Sequence, residues 1–195
     1  MRTKLGQWIF DNAELFRHIA QLPALKKDAS RILLSGSASS FLASSVGELY
    51  SDAEIVGVDL NSECLEDAQG EYEDMTLVKE DFSSYKGSLY DIAISTLEIE
   101  KLNTRELTPY LFNLYDSLSQ DGYLYISFPD AISPTAMEKS LYPAWYDENE
   151  MIYMKYYMAY DVANALGMIG FEVKAIEGDN NNDLIHIVTI IARKQ

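Results

Sequence analysis

Short apolar runs alternate with helix-like stretches along most of the chain. Stretches with apolar residues at helical spacing predict helices at 8–25, 41–50, 62–69, 106–119 and 159–170. Mainly apolar runs predict strands at 31–36, 54–60, 75–81, 90–96, 120–128, 171–177 and 185–194. Alternation of strand and helix is typical of a parallel sheet with helices on both faces, so the pattern predicts an α/β fold.

Capping and turn residues mark several of the predicted boundaries. Asn61 or Ser62 is suited to begin the helix at 62–69, and Asp161 to begin the one at 159–170. Gly170 is suited to end that last helix. Pro109 is expected near the first turn of its helix, where a missing N–H does little harm.

Two clusters of turn-forming residues predict how the later strands are entered. Asp121 and Gly122 form a turn before the fifth strand. The segment GDNNND, at 178–183, joins the last two strands and suits an antiparallel hairpin. The sheet is therefore expected to end in a hairpin.

Length and composition favour one domain over residues 1–195. The chain is 48% hydrophobic, enough for one sizeable core. Within it, residues 1–29 are expected to form an N-terminal helical segment, and 129–158 an aromatic insertion without clear periodicity. Cys64 is the single cysteine, which excludes an internal disulfide. Without a signal-like or membrane-spanning apolar stretch, the expected location is the cytoplasm.

The charge of the chain argues against a nucleic-acid partner. The formal net charge is −16, and the fifteen basic residues are scattered, with only Lys26 and Lys27 adjacent. Binding to a phosphate backbone usually depends on clustered Lys and Arg. Neither nucleic acid nor a membrane is an expected partner.

Chemically distinctive residues follow four of the predicted strands. A loop of small residues at 35–40 follows the first strand, and such a loop allows a ligand to approach the backbone. Asp59 follows the second strand, Asp81 and Phe82 the third, and the segment 95–98 the fourth. Because parallel strands end at one edge of the sheet, these residues should border one crevice.

Position suggests a role for each acidic side chain. A carboxylate at a strand end accepts two hydrogen bonds from vicinal hydroxyls, which suits Asp59 to a ribose. Asp81 could accept from a purine amine while Phe82 packs on the base. The alternatives are that Asp59 caps the following helix and that Asp81 is a simple turn residue.

These segments, in this order, resemble the class I S-adenosylmethionine-dependent methyltransferases over residues 30 to 193. The resemblance is carried by ILLSGSASS, IVGVDLN, VKEDF, YDIAIST, LSQDGYLYIS and the closing hairpin. It implies a Rossmann-like three-layer sandwich with a seven-stranded, mostly parallel sheet of order 3-2-1-4-5-7-6 and an antiparallel C-terminal strand. The implied cofactor is S-adenosyl-L-methionine, and the implied activity is O- or N-methylation of a small-molecule acceptor.

The resemblance also implies which residues hold the cofactor. Those that would face its methionine part are Ser35, Gly36, Ser37 and Ala38. Asp59 and Leu60 would hold the ribose, and Asp81 and Phe82 would contact the adenine. The remainder of the cleft would be lined by Ser95, Thr96 and Leu97.

The first motif departs from the family pattern. An acidic residue usually stands two positions before a G-x-G-x-G run, whereas this chain has Leu34 there. The second and third glycines are replaced by Ala38 and Ser40. Loss of the acid removes a partner for the cofactor's charged amino-acid portion. A second hypothesis is therefore a methyltransferase-like protein that has lost catalysis and acts as a binding or regulatory partner.

No motif identifies a catalytic base. Glu98 follows the fourth strand, close to where acceptors bind in this fold, and His18 lies on the opening helix. Tyr157 belongs to the aromatic insertion. These three are the weak catalytic candidates, and a solvated helix entry or core packing is the alternative for each.

The aromatic residues from Tyr142 through Tyr157 suggest a cover over the acceptor site. Such a cover suits a flat or apolar small molecule. The alternative is that these rings pack the insertion onto its own body or onto a second subunit, as in a homodimer. Trp8 and Phe10 of the opening helix could lie over the same crevice, and the alternative for them is core packing.

Two other chemistries are less well supported. A metal site needs clustered oxygen ligands, but Asp130 stands alone at its strand end, so no metal is predicted. A nicotinamide cofactor needs G-x-G-x-x-G, of which only Gly36 is present.

Overall fold

The computed structural model describes residues 18–36, 42–132, 155–179 and 186–195. Its helices are α1 (Leu22–Leu25), α2 (Ala43–Leu49), α3 (Ser62–Glu71), α4 (Thr104–Ser117) and α5 (Ala159–Ile169). Its strands are β1 (Arg31–Ser35), β2 (Glu54–Asp59), β3 (Thr76–Lys79), β4 (Tyr90–Thr96), β5 (Leu118–Pro129), β6 (Phe171–Asp179) and β7 (Ile187–Lys194). A short 3-10 helix, Ile99–Lys101, follows β4.

The strands form one seven-stranded sheet in the order β3-β2-β1-β4-β5-β7-β6. Strands β1 to β5 are parallel, and β7 is antiparallel to both β5 and β6. The predicted Rossmann-like order and the terminal hairpin are therefore confirmed. The hairpin's predicted connection at 178–183 lies partly outside the described residues.

A hydrophobic core covers each face of the sheet. On one face, α1 and α2 pack through residues such as Leu22 and Val46. On the other, α4 and α5 pack through Leu111, Leu114 and Val162. Alternate side chains of the central strands enter the two cores, which explains their continuously apolar sequences.

Helix α4 begins earlier than its sequence suggests, so the prediction for Pro109 is wrong. A capping box starts the helix at Thr104: the Asn103 side chain accepts from the Glu106 N–H, and Glu106 accepts from the Asn103 N–H. Pro109 consequently lies inside the helix. The predicted cap Asp161 is also wrong, because Met158 occupies the N-cap of α5 and Asp161 lies in its first turn. Gly170 ends α5 as predicted, with φ of 121°.

Replacing Asn103 with alanine is expected to lower the free energy of unfolding by about 1 kcal/mol, because the side chain satisfies N–H groups at the start of α4. Asn103→Asp keeps an accepting oxygen and should retain most of the stability. Urea unfolding of both variants measures the difference. Equal stability of the alanine variant and the wild type would contradict the structural role of this cap.

The described part of the opening segment is a helical turn at 18–21 followed by α1. The rest of the predicted helix 8–25, with Trp8 and Phe10, lies outside the described residues. So does most of the insertion 129–158. Among the described residues, no helix combines the length and apolar character needed to cross a bilayer.

Candidate functional site

The order of the strands reverses between β1 and β4, and this is where α/β sheets bind their ligands. Ser35, the last residue of β1, is in register with Val58 of β2 and Ser95 of β4. The chain leaves β1 through Gly36, whose φ of 65° is a conformation that glycine adopts without strain. The crevice therefore opens beside Gly36.

A cavity of about 490 Å³ lies at this edge of the sheet. Six of the residues named from the sequence line it: Gly36, Asp59, Leu60, Asp81, Phe82 and Glu98. They follow four different strands, so the fold brings together residues up to 62 positions apart, from 36 to 98. Their individual ligand contacts remain predictions.

Four other predicted residues are buried and do not line the cavity. Ser35 and Ser95 are fully buried, and their hydroxyls contact the Tyr110 hydroxyl at 2.5 and 2.7 Å. Thr96 and Leu97 are buried at the end of β4 and are not among the lining residues. Ser37 and Ala38 lie outside the described residues.

Sequence analysis missed the contribution of the segment after β4. Lys101 of the 3-10 helix and Leu102 line the cavity, as do Arg105, Glu106, Pro109 and Tyr110 of α4. Tyr110 also packs on Phe82, with ring centroids 5.1 Å apart. The only sequence signal was indirect: these residues follow a strand end and occur at helical spacing, which is equally typical of an ordinary surface helix.

Asp59 ends β2 and lines the cavity. One oxygen, Oδ1, accepts a hydrogen bond of 2.8 Å from the Asn61 N–H, which is a turn contact before α3 and not a cap on that helix, since α3 begins at Ser62. Burial raises the pKa of Asp59 above its ordinary value, and the Asn61 N–H opposes this shift. The nearby Glu98 carboxylate raises the pKa further, whereas Lys101 lowers it.

Asp81 follows β3 in a similar geometry. Its Oδ1 accepts from the Ser83 N–H at 2.8 Å, as expected of a turn residue. Phe82 is fixed beside it, because the Asn113 amide donates to the Phe82 carbonyl. The turn and the aromatic ring thus present a carboxylate and an apolar face to the same cavity.

Of the three catalytic candidates, Glu98 alone lines the cavity. His18 Nδ1 lies 2.5 Å from a carboxylate oxygen of Glu177 on β6, far along the sheet from β1. Tyr157 is buried and donates to the Leu102 carbonyl at 2.9 Å, and its backbone pairs with Asp130. The structure therefore does not bring the three candidates together.

A second carboxyl group, Glu100, is buried next to this site. It is 1% exposed, and neither side-chain oxygen has a hydrogen-bond partner among the residues that the structure describes. Burial raises the pKa of Glu100 to about 8. The Lys155 N–H donates to its backbone carbonyl at 2.7 Å, which ties the 3-10 helix to the chain before α5.

The described residues contain no group of three His, Cys, Asp or Glu side chains arranged to hold a metal ion. The charged groups on the cavity wall are instead four carboxylates and two cations: Asp59, Asp81, Glu98, Glu106, Lys101 and Arg105. The formal balance is therefore negative. Such a site favours a cationic ligand over an anionic one.

Comparison of the sequence alone finds no relative. No family model matches the chain, and no curated protein matches it. Its structure, in contrast, superimposes on many solved methyltransferases.

The magnesium protoporphyrin IX methyltransferase of Synechocystis PCC 6803, solved with bound SAH, is 13% identical, with a TM-score of 0.73. The match covers 92% of this chain and 81% of that one. The 1,6-didemethyltoxoflavin-N1-methyltransferase of Burkholderia thailandensis is 19% identical, with a TM-score of 0.72 over 95% of this chain and 80% of that one.

The N-methyltransferase NodS of Bradyrhizobium japonicum WM9 is 13% identical, with a TM-score of 0.68. That match covers 91% of this chain and 85% of NodS. The likeness thus extends over nearly the full length of both proteins, although few residues are shared. The chain has the fold of the class I S-adenosylmethionine-dependent methyltransferases.

Proposed function

We propose that this protein is an S-adenosylmethionine-dependent methyltransferase that acts on a small-molecule acceptor by O- or N-methylation. The observation that carries the proposal is the cavity of about 490 Å³ beside Gly36, bordered by Asp59 and by Asp81 with Phe82. Each lies at the strand end expected for its role. The structural neighbours from Synechocystis and B. thailandensis, both solved with S-adenosylhomocysteine, add support.

The residues present fit such a ligand part by part. Gly36 carries no side chain, so a ligand could approach its backbone once the Glu98 carboxyl group that lies against it moves aside. Asp59 uses one carboxylate oxygen in its turn and would offer the other to the ribose hydroxyls. Asp81 and Phe82 would take the adenine, one by its amine and the other by its ring face.

The charge of the cavity supports the same ligand. The cavity wall carries four carboxylates and two cations, and this excess of negative charge suits the positive sulfonium of the methyl donor. A nicotinamide dinucleotide would bring its pyrophosphate to this negative wall. The charge balance therefore argues for the methyl donor over the nicotinamide alternative.

When bound, S-adenosylmethionine would supply an electrophilic methyl group to an oxygen or nitrogen of the acceptor, with the C–S electron pair left on the sulfur of S-adenosylhomocysteine and the acceptor's proton released to water or a base. The protein's own task is to align the two ligands and exclude water. An acceptor would lie near the ends of β4 and β5. There the buried hydroxyls of Thr96 and Ser127, which are register partners, and the Glu100 carboxyl group have no hydrogen-bond partner within the described part of the chain.

One observation favours the second hypothesis, a non-catalytic binding or regulatory protein. The Glu98 carboxyl group lies against Gly36, in the space next to the loop. Titration calorimetry of the purified protein with S-adenosylmethionine and S-adenosylhomocysteine distinguishes the two. We expect saturable binding of both, whereas NAD, as the control, should give no heat. Absence of binding to either adenosyl ligand would contradict the enzymatic function.

A further inference from the structure

The Glu98 carboxyl group occupies the space that a side chain at position 36 would need. A Cβ atom built on Gly36 would lie 1.9 Å from Glu98 Cδ and 2.2 Å from its Oε1. Gly36 directly follows β1 and Glu98 follows β4, so two neighbouring strands place these residues together. A carboxylate thus stands where the chain leaves β1.

The backbone before Glu98 aims it at this position. Leu97 has a φ of 56°, a left-handed conformation that costs a residue with a side chain about 1 kcal/mol. The conformation is held because the Leu97 N–H donates to the Ser127 carbonyl at 3.0 Å and its side chain is buried in the core. Strain of this kind is concentrated at functional sites.

A cation accompanies the carboxylate. Lys101 Nζ donates to Glu98 Oε1 at 2.7 Å, and the two side chains are 29% and 18% exposed. Arg105, in the first turn of α4, lines the same cavity. Negative and positive groups therefore lie side by side at the end of the cavity next to Gly36.

This arrangement complements an amino-acid zwitterion. An α-ammonium group needs an anionic acceptor, and an α-carboxylate needs a cation close by. Position 34, where the resemblance leads us to expect an acid, carries a leucine that is fully buried in the core. Glu98 is a carboxylate that follows the adjacent strand β4 and reaches Gly36, directly after β1.

We propose that Glu98 binds the α-ammonium group of the methyl donor's methionine part and that Lys101 binds its α-carboxylate. Glu98 thereby takes the role of the acid that the first motif lacks. The proposal rests on the proposed function. On binding, the ligand's two charges would replace the internal pair, so that neither protein charge is left without an opposite partner.

Calorimetry with two ligands tests this assignment. S-adenosylhomocysteine carries the amino-acid group, and 5′-methylthioadenosine lacks it while keeping the adenosine. We expect Glu98→Gln to weaken binding of S-adenosylhomocysteine by about 10- to 100-fold, the loss of one charge-assisted hydrogen bond, and to leave 5′-methylthioadenosine within about threefold. Lys101→Met should show the same selectivity.

Glu80→Gln is the matched control, because Glu80 lies near the end of β3 but does not line the cavity. It should bind both ligands as the wild type does. The melting temperature of each variant checks the fold, and Lys101→Met keeps the test valid if Glu98→Gln does not fold.

Three results would overturn the proposal. Unchanged or tighter binding of S-adenosylhomocysteine by Glu98→Gln would mean that the carboxylate only fills the cavity. If Glu98→Gln weakened the binding of both ligands equally, the Glu98 carboxylate would not act on the amino-acid group. Wild-type protein that binds neither ligand would overturn the proposed function itself, and this proposal with it.

Discussion

Replacing Asp59 with alanine is expected to abolish binding of S-adenosylmethionine at ligand concentrations that saturate the wild type. Two charge-assisted hydrogen bonds to the ribose hydroxyls would be lost, each on the order of 1.5–3 kcal/mol, which corresponds to at least about 100-fold in affinity. Asp59 lies at the end of β2 on the cavity wall, and among the described residues that line the cavity it is the only carboxylate between β2 and β3. Calorimetric titration measures the change.

Asp59→Asn separates ligand binding from folding. Asp59 also accepts from the Asn61 N–H, so alanine removes a turn contact as well as the charge. Asparagine keeps an accepting oxygen for that turn and removes the charge alone. We expect a melting temperature close to that of the wild type together with much weaker ligand binding. Full affinity in the asparagine variant would contradict the role of the charge.

The affinity should also depend on pH through this carboxyl group. Burial raises the pKa of Asp59, and its ionised form is the better acceptor for ribose hydroxyls. Acidification should therefore weaken binding, and it should do so at a higher pH than for a carboxyl group in water. The Asp59→Asn variant should lose this dependence.

Replacing Glu100 with glutamine is expected to change the pH dependence of stability. The pKa of Glu100 is about 8 in the folded protein against an ordinary value of 4.5. Between these values the unfolded chain releases the proton that the folded protein keeps. The wild type should therefore lose about 1.4 kcal/mol of unfolding free energy per pH unit from this residue as the pH rises through that range.

The Glu100→Gln variant has no such proton to release. Its stability relative to the wild type should therefore increase by several kcal/mol from pH 5 to pH 8 and then level off. Urea unfolding at four pH values measures this difference. Glu73→Gln, which changes an exposed glutamate, should keep a constant difference from the wild type. Parallel curves for Glu100→Gln would show that the buried carboxyl is not held protonated.

Much of the fold can be predicted from the sequence, because local patterns specify it. The runs at 31–36, 54–60 and 90–96 are mainly apolar, as expected of strands buried on both faces, and they become β1, β2 and β4 nearly unchanged. Residues directly after such strands necessarily meet at one edge. The positions of Gly36, Asp59 and Asp81 on the cavity follow from that rule.

The start of α4 shows where local patterns fail. The apolar spacing places the helix at 106–119, but the Asn103 and Glu106 capping box begins it at Thr104 and carries Pro109 into its interior. Arg105 lies in the turn that this earlier start adds, and it lines the cavity. The hydroxyls of Ser35 and Ser95 both contact Tyr110, a pairing that the local pattern does not reveal.

By itself, the sequence determined the order of strands and helices and which strand ends carry carboxylates, because hydrophobic periodicity and turn chemistry act over a few neighbouring residues. Only the tertiary structure decided that Glu98, paired with Lys101, lies against Gly36. That contact depends on the pairing of β1 with β4 and on a left-handed Leu97 held by Ser127 of β5. Such long-range pairings leave no periodic signal in the chain, since each partner satisfies only the local rules of its own segment.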